Sequence, residues 1–87
     1  MFLQENLMYD FSNALRELVK GRRIARSGWN GKNMWLVYIT DYSIHQIFDG
    51  SLYPLLNFIA MKTADNKMVP WLASQTDILA NDWNILD

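Results

Sequence analysis

A chain of 87 residues with no cysteine must hold its fold together without covalent staples. A chain this short buries only about 60% of the surface that its unfolded form exposes, and small domains commonly make up the deficit with disulfides, metals or partner subunits. Here composition excludes disulfides and cysteine–zinc sites, and the lone His45 cannot build a histidine-rich metal centre. Self-association is the support that remains. Four Trp, four Tyr and four Phe form a heavy aromatic load for one small core. With 51% hydrophobic residues the chain is globular, because disorder needs low hydrophobicity and high net charge. The length allows one domain.

The longest fully apolar run, residues 34–39, is far below the roughly 20 residues of a membrane span. The first ten residues carry Glu5 and Asp10 and no basic residue, the wrong charge for a secretory signal. The net charge of −1 hides an asymmetry. Residues 12–35 hold Arg16, Lys20, Arg22, Arg23, Arg26 and Lys32 against Glu17. Residues 41–87 hold Lys62 and Lys67 against Asp41, Asp49, Asp65, Asp77, Asp82 and Asp87. Two readings follow. The halves neutralise each other within or between chains, or the basic segment forms a local anion site for a small phosphate ligand. A slightly acidic chain is a poor binder of DNA or RNA.

Periodicity predicts a helix over residues 11–20. Phe11, Ala14, Leu15, Leu18 and Val19 form one face, with Asp10 as N-cap and Gly21 just past the end. A strand is expected over 22–27. The turn Gly28-Trp29-Asn30-Gly31 follows, then a second strand over 34–40, apolar enough to be covered on both faces. Residues 41–56 read as an excursion with a short strand or helical turn around 44–48, a turn at Asp49-Gly50-Ser51 and a break at Pro54. A strand over 57–63, a turn at Ala64-Asp65-Asn66 and a returning strand at 67–69, ended by Pro70, complete the sheet. Ser74-Gln75-Thr76-Asp77 has capping-box spacing with Asp in place of Glu. A short helix is expected from there, continuing toward Asp82 and Trp83, with a closing strand at 84–86. The fold class is α+β: a small antiparallel β-sheet with an N-terminal helix and a short C-terminal helix, oligomeric. Residues 1–9 form an N-terminal extension and residues 10–87 the single domain.

Two loops carry the groups able to bind a ligand. In the first, Trp29 offers a stacking face, Asn30 a donor and an acceptor, Gly31 close backbone approach, and Lys32 a phosphate partner. In the second, Trp71 precedes Ser74, Thr76 and Asp77 at a helix start, where free N–H groups and a partial positive charge favour anions. Structural roles compete with these: a tryptophan in a small domain serves more often as core, and Ser74 with Asp77 makes a simple cap. Catalysis finds little support. His45 has no nucleophile or second histidine near it in sequence, only Asp49 four residues on, and is read as structural or solvated. The five-residue spacing of Asp77 and Asp82 does not put a carboxylate dyad on one helix face. No catalytic residue, metal site or cofactor is assigned, and no dinucleotide or P-loop fingerprint is present.

These segments also carry a family likeness. Phe11-x-x-Ala14-Leu15-x-x-Leu18, Gly21 and Ala25-Arg26-x-Gly28-Trp29-Asn30-Gly31-Lys32 are followed by Met61-Lys62-Thr63-Ala64-Asp65. Then come Val69-Pro70-Trp71-x-x-Ser74-Gln75-Thr76-Asp77-Ile78-Leu79-Ala80 and Asp82-Trp83. From about residue 10 to residue 86 the chain resembles the second type of the Thoeris anti-defence family of phage proteins (the Tad2-like domain). The resemblance implies a binding protein without turnover. Members act as sponges in the cytoplasm of the infected bacterial host, sequestering the cyclic ADP-ribose isomer that a TIR-domain enzyme makes as an alarm signal. They form homotetramers with ligand pockets between subunits, and some hold cyclic dinucleotides at a separate site. On this likeness, Trp29 and Trp71 supply stacking surface for adenine and ribose. Asn30, Ser74, Thr76 and Asp77 supply polar contacts, and Lys32 and Arg26 offset the pyrophosphate charge. Trp35 and Trp83 are left as the core tryptophans. The residues before position 10 and the stretch 41–56 match no part of the pattern. Two other classes compete: a small enzyme acting on nucleotides through Asp77 or His45, and a phage protein-interaction module that inhibits a host defence enzyme by direct contact.

Overall fold

Asp10 starts the first helix because its carboxylate accepts the Asn13 backbone N–H at 2.9 Å, satisfying a donor that the helix itself cannot pair. In the computed structural model, which describes residues 8–40 and 45–87 (45–48 by backbone alone), helix α1 spans Phe11–Val19. It ends in a Schellman motif. The N–H of Gly21 donates to the Leu18 carbonyl and that of Arg22 to the Glu17 carbonyl, with Gly21 at φ 103°. Ala14 and Leu18 are fully buried and Phe11 and Leu15 partly so, as the helical spacing predicts. Val19, expected on the same face, is 49% exposed at the helix's last turn.

The strands are β1 Ile24–Arg26, β2 Trp35–Ile39, β3 His45–Phe48, β4 Ser51–Pro54, β5 Phe58–Lys62, β6 Met68–Pro70 and β7 Trp83–Ile85. Five of them form an antiparallel sheet in the order β6-β5-β2-β1-β7. The expected α+β class and antiparallel sheet are both present. Helix α2 (Gln75–Ile78) is a single turn. It stops before Asp82 and Trp83, contrary to the expected continuation, and Trp83 opens β7 instead. Residues 45–54 form a separate two-stranded hairpin rather than a helical turn; Ile44 lies outside the described residues. Asp49 and Gly50 both take positive φ between the paired Phe48 and Ser51, the requirement of a type I′ hairpin turn. Pro54 closes this hairpin and Pro70 closes β6, each at a strand end where its missing N–H is not needed.

Register sorts the side chains into two faces. Ile24 pairs with Leu36 and with Ile85, Leu36 with Met61, Tyr38 with Ile59, and Arg26 with Trp83. The apolar members of this inner set, together with α1, make the core, where Ile24, Leu36 and Trp83 are fully buried. The other face carries Trp35, Val37 and Ile39 opposite Lys62, Ala60 and Phe58. No helix of the described chain covers it, so β2 is sealed on one side only: Leu36 is buried while its four neighbours in the strand stay partly exposed. Tyr9 exchanges two backbone hydrogen bonds with Trp83, closing the outer edge of β7.

Candidate functional site

The segment from β1 to β2 bends because Gly28 and Gly31 permit close packing that a side chain would forbid. A Cβ on Gly28 would lie 2.8 Å from Asp82 Oδ2, and one on Gly31 would run into the Met34 sulfur and approach Ala64. The loop so formed walls a groove of about 500 Å³, lined chiefly by Arg23, Arg26, Trp29, Lys32, Met34 and Trp35. That volume falls in the range of small-molecule sites. Across the outer face, the Arg23 guanidinium lies 4.9 Å from the centre of the Trp35 ring and the Lys62 ammonium 5.9 Å. The indole is therefore flanked by positive charge.

Trp83 is the hub behind this wall. Its ring meets Trp29 edge-on at 5.4 Å, Trp71 edge-on at 6.1 Å and Phe11 at 5.3 Å, arrangements that the ring quadrupoles favour. Its Nε1–H donates to the Asp77 backbone carbonyl at 3.0 Å. The expectation that Trp83 is core holds. Trp35 is not core: it stands half-exposed on the uncovered face and lines the groove. Strand alternation puts it opposite Leu36, and only the Leu36 side receives the helix.

Arg26 is engaged from two sides. Its Nη1 donates to Asp77 Oδ1 at 2.9 Å and its Nε to Asp82 Oδ1 at 2.8 Å. The Trp29 Nε1–H donates to the same Asp77 oxygen at 3.2 Å. Asp77 and Asp82, unpromising as a helix-face pair, thus converge on one guanidinium. The hydrogen bond from Arg26 holds the Asp82 carboxyl below its ordinary value of 3.8. At Asp77, burial acts to raise the pKa, and hydrogen bonds from Arg26, Trp29 and Ser74 outweigh it, so the net shift is downward. Hydrogen bonds from Asp82 and Asp77 raise Arg26. Two carboxylates on one cation leave this cluster at −1, so Arg26 is spent on its own protein and is a poor counter-charge for a pyrophosphate. Elsewhere Arg23 reaches the acidic half again through Asp87, while Arg22 pairs with Glu17 of its own segment. Mutual neutralisation of the two halves is thus what much of the charge asymmetry does.

The remaining candidates divide between the two faces. Lys32 lines the groove and is exposed. Trp71 packs against the hub on the helix side and is absent from the groove lining. Ser74 caps α2, its Oγ accepting the Asp77 N–H at 3.0 Å. Asn30 and Thr76 are exposed. Arg23, Met34 and Trp35 also line the groove and were not expected there. The alternation of Arg23 with Ala25 and of Trp35 with Val37 carried a signal, but nothing in it told which face would stay open. His45 opens β3, and its side chain lies outside the described residues, as does any pairing with Asp49. Among the described residues no three His, Cys, Asp or Glu side chains gather as a metal site, and no helix is long and apolar enough to cross a membrane.

The sequence model of the Thoeris anti-defense 2-like domain matches residues 9–86. The chain belongs to this family. It is also 42% identical over 82 residues to the protein named Thoeris anti-defense 2 of Bacillus phage SP01, an alignment that covers 87% of this chain and 92% of the relative. Family membership assigns the chain an anti-defence role against Thoeris. Its match runs through both tryptophan loops and through the 41–56 stretch that showed no quotable pattern.

Proposed function

We propose that this protein is a phage-encoded sponge that acts in the cytoplasm of the infected bacterium. It binds and sequesters a cyclic ADP-ribose isomer and does not cleave it. The observation that carries the reading is the groove itself, a concavity of suitable size with Trp29 and Trp35 as aromatic walls and the exposed Lys32 at its rim. A base stacked on an indole gains about 1–3 kcal/mol, and the Lys32 ammonium at the edge matches a pyrophosphate. Membership in the Thoeris anti-defence family supports the same ligand class. Sequestration needs affinity and no reacting group. The carboxylates near the groove suit that role, since Arg26 keeps both Asp77 and Asp82 ionised and occupied.

The assembly proposed is a homo-oligomer, a tetramer, with the groove completed by a neighbouring subunit. Two features support it. The outer sheet face carries an apolar hollow of about 260 Å³ lined by Ile39, Phe58, Ala60, Met68, Val69 and Pro70. The 45–54 hairpin exposes Leu52 and Tyr53, and a two-stranded hairpin standing alone is only marginally stable in water.

Calorimetric titration with the product of a Thoeris TIR-domain enzyme tests the reading, followed by heating of the complex and chromatography of the released nucleotide. Stoichiometric binding and intact ligand are expected. A hydrolysed product would replace the sponge with an enzyme. No binding would turn the assignment to direct inhibition of a host defence protein. Light scattering behind a sizing column tests the tetramer.

A further inference from the structure

Asp82 lies outside the groove lining, yet it grips three successive residues at the point where the groove's wall leaves β1. Its Oδ1 accepts from Arg26 Nε at 2.8 Å. Its backbone carbonyl accepts the Ser27 N–H at 3.0 Å. Its Oδ2 accepts the Gly28 N–H at 2.8 Å. The residue after these three is Trp29, whose indole N–H is in turn held by Asp77. A Cβ on Gly28 would press on the tips of Asp82, at Oδ2 2.8 Å away, and of Arg26, at Nη2 3.1 Å away, so it would push both side chains off their hydrogen bonds. The loop's exit angle is thus set from behind, by a residue 54 positions away in sequence.

We propose that Asp82 is a positioning residue, which holds the Trp29 wall of the groove in place through Arg26 and the Gly28 N–H without touching ligand. The inference rests on reading the groove as the ligand site. The chemistry requires a carboxylate at this position. Both partners of the side chain are donors, so each needs an acceptor oxygen, and the two oxygens of an aspartate supply them. Asparagine has the same shape but must turn its NH2 group toward either Arg26 or the Gly28 N–H, setting donor against donor. A glutamate would carry its carboxylate one methylene further, against the Gly28 N–H that Asp82 Oδ2 already meets at 2.8 Å.

The test uses the full chain labelled with 5-fluorotryptophan, its four ¹⁹F resonances assigned by Trp→Phe variants. In Asp82→Asn the Trp29 resonance shifts or broadens while those of Trp35 and Trp71 stay in place. Affinity for the nucleotide product of a Thoeris TIR-domain enzyme falls at least tenfold. Gly28→Ala, which pushes the loop off Asp82 while keeping every charge, gives the same displacement and stands in if Asp82→Asn does not fold. A Trp29 resonance that keeps its wild-type position in the folded variants overturns the proposal, as does wild-type affinity in both. If the wild-type protein binds no nucleotide while the Trp29 signal still moves in the variants, the positioning role stands and the ligand reading falls.

Discussion

Removing Arg26 is expected to cost more than removing either of its partners. The guanidinium is held between Asp77 and Asp82, and the three side chains are only 15%, 14% and 26% exposed. Loss of one aspartate leaves the cation still paired with the other, so Asp82→Asn loses the charge-assisted hydrogen bond at the donor its NH2 group faces, about 1.5–3 kcal/mol. Arg26→Met leaves two carboxylates facing the place where their shared cation stood. Breaking a largely buried ion pair from one side costs about 3–5 kcal/mol, and packing by the methionine offsets part of it, leaving about 3 kcal/mol. In a domain of this size each kcal/mol moves the melting point by about 4–8 °C, so a fall of about 12–24 °C is expected.

Acid should narrow the difference. Arg26 lowers both aspartates below 3.8 in the folded wild type. Their contribution is therefore complete above that value and is lost as pH falls through the lowered folded pKa. In Arg26→Met the two carboxylates repel, so protonation relieves the folded state, and the gap from wild type narrows as pH falls from 7 toward 4. Urea titration followed by tryptophan fluorescence, at fixed protein concentration so that any assembly contributes equally, measures the gap at both pH values. An Arg26→Met variant no less stable than Asp82→Asn at pH 7, or a gap that does not narrow in acid, refutes the argument.

Trp83→Ala removes the buried hub of four aromatic rings at about 3–5 kcal/mol. Circular dichroism should find it largely unfolded at 37 °C, and a cooperative wild-type-like melt would show the cluster to be peripheral. Ser74→Ala loses a helix cap and should lower stability by about 1 kcal/mol in a denaturant melt, with nucleotide affinity within twofold of wild type; a larger loss by calorimetry would put the hydroxyl on the ligand after all. Lys32→Ala should weaken nucleotide binding and flatten its dependence on salt, because an exposed charge at the groove rim acts through screened attraction. An unchanged salt slope would remove Lys32 from the site.

Local chemistry was legible in the sequence. The Asp10 cap, the Gly21 stop, the Ser74 cap and the Ala14–Leu18 stripe each depend on neighbours within five residues, and period and hydrogen-bonding capacity suffice to find them. The strands at 24–26, 35–39 and 58–62 were legible for the same reason, as alternation is a property of one segment. The Trp29 loop stood out because an indole beside turn glycines is unusual in any local context, and the Trp71 loop because it leads into a helix cap. Of the residues those loops offered, Trp29 and Lys32 line the groove, while Trp71 and Ser74 serve the helix side.

Pairings across the chain needed the folded structure. Arg26 meets Asp77 and Asp82 across 51 and 56 residues, and no spacing rule reaches that far. Strand alternation told that Trp35 and Leu36 point opposite ways, but it is symmetric between the two faces. Helix α1 breaks that symmetry by packing on one side of the sheet. Burial therefore goes to Leu36 and Trp83, and Trp35 is left on the open face between Arg23 and Lys62. The sequence by itself determined the first helix and most of the strands, because those preferences are local; it did not separate the short second helix from the strand at Trp83. Which charges cancel and which indole stays free to meet a ligand was decided only when the sheet closed, because both depend on contacts between residues far apart in the chain.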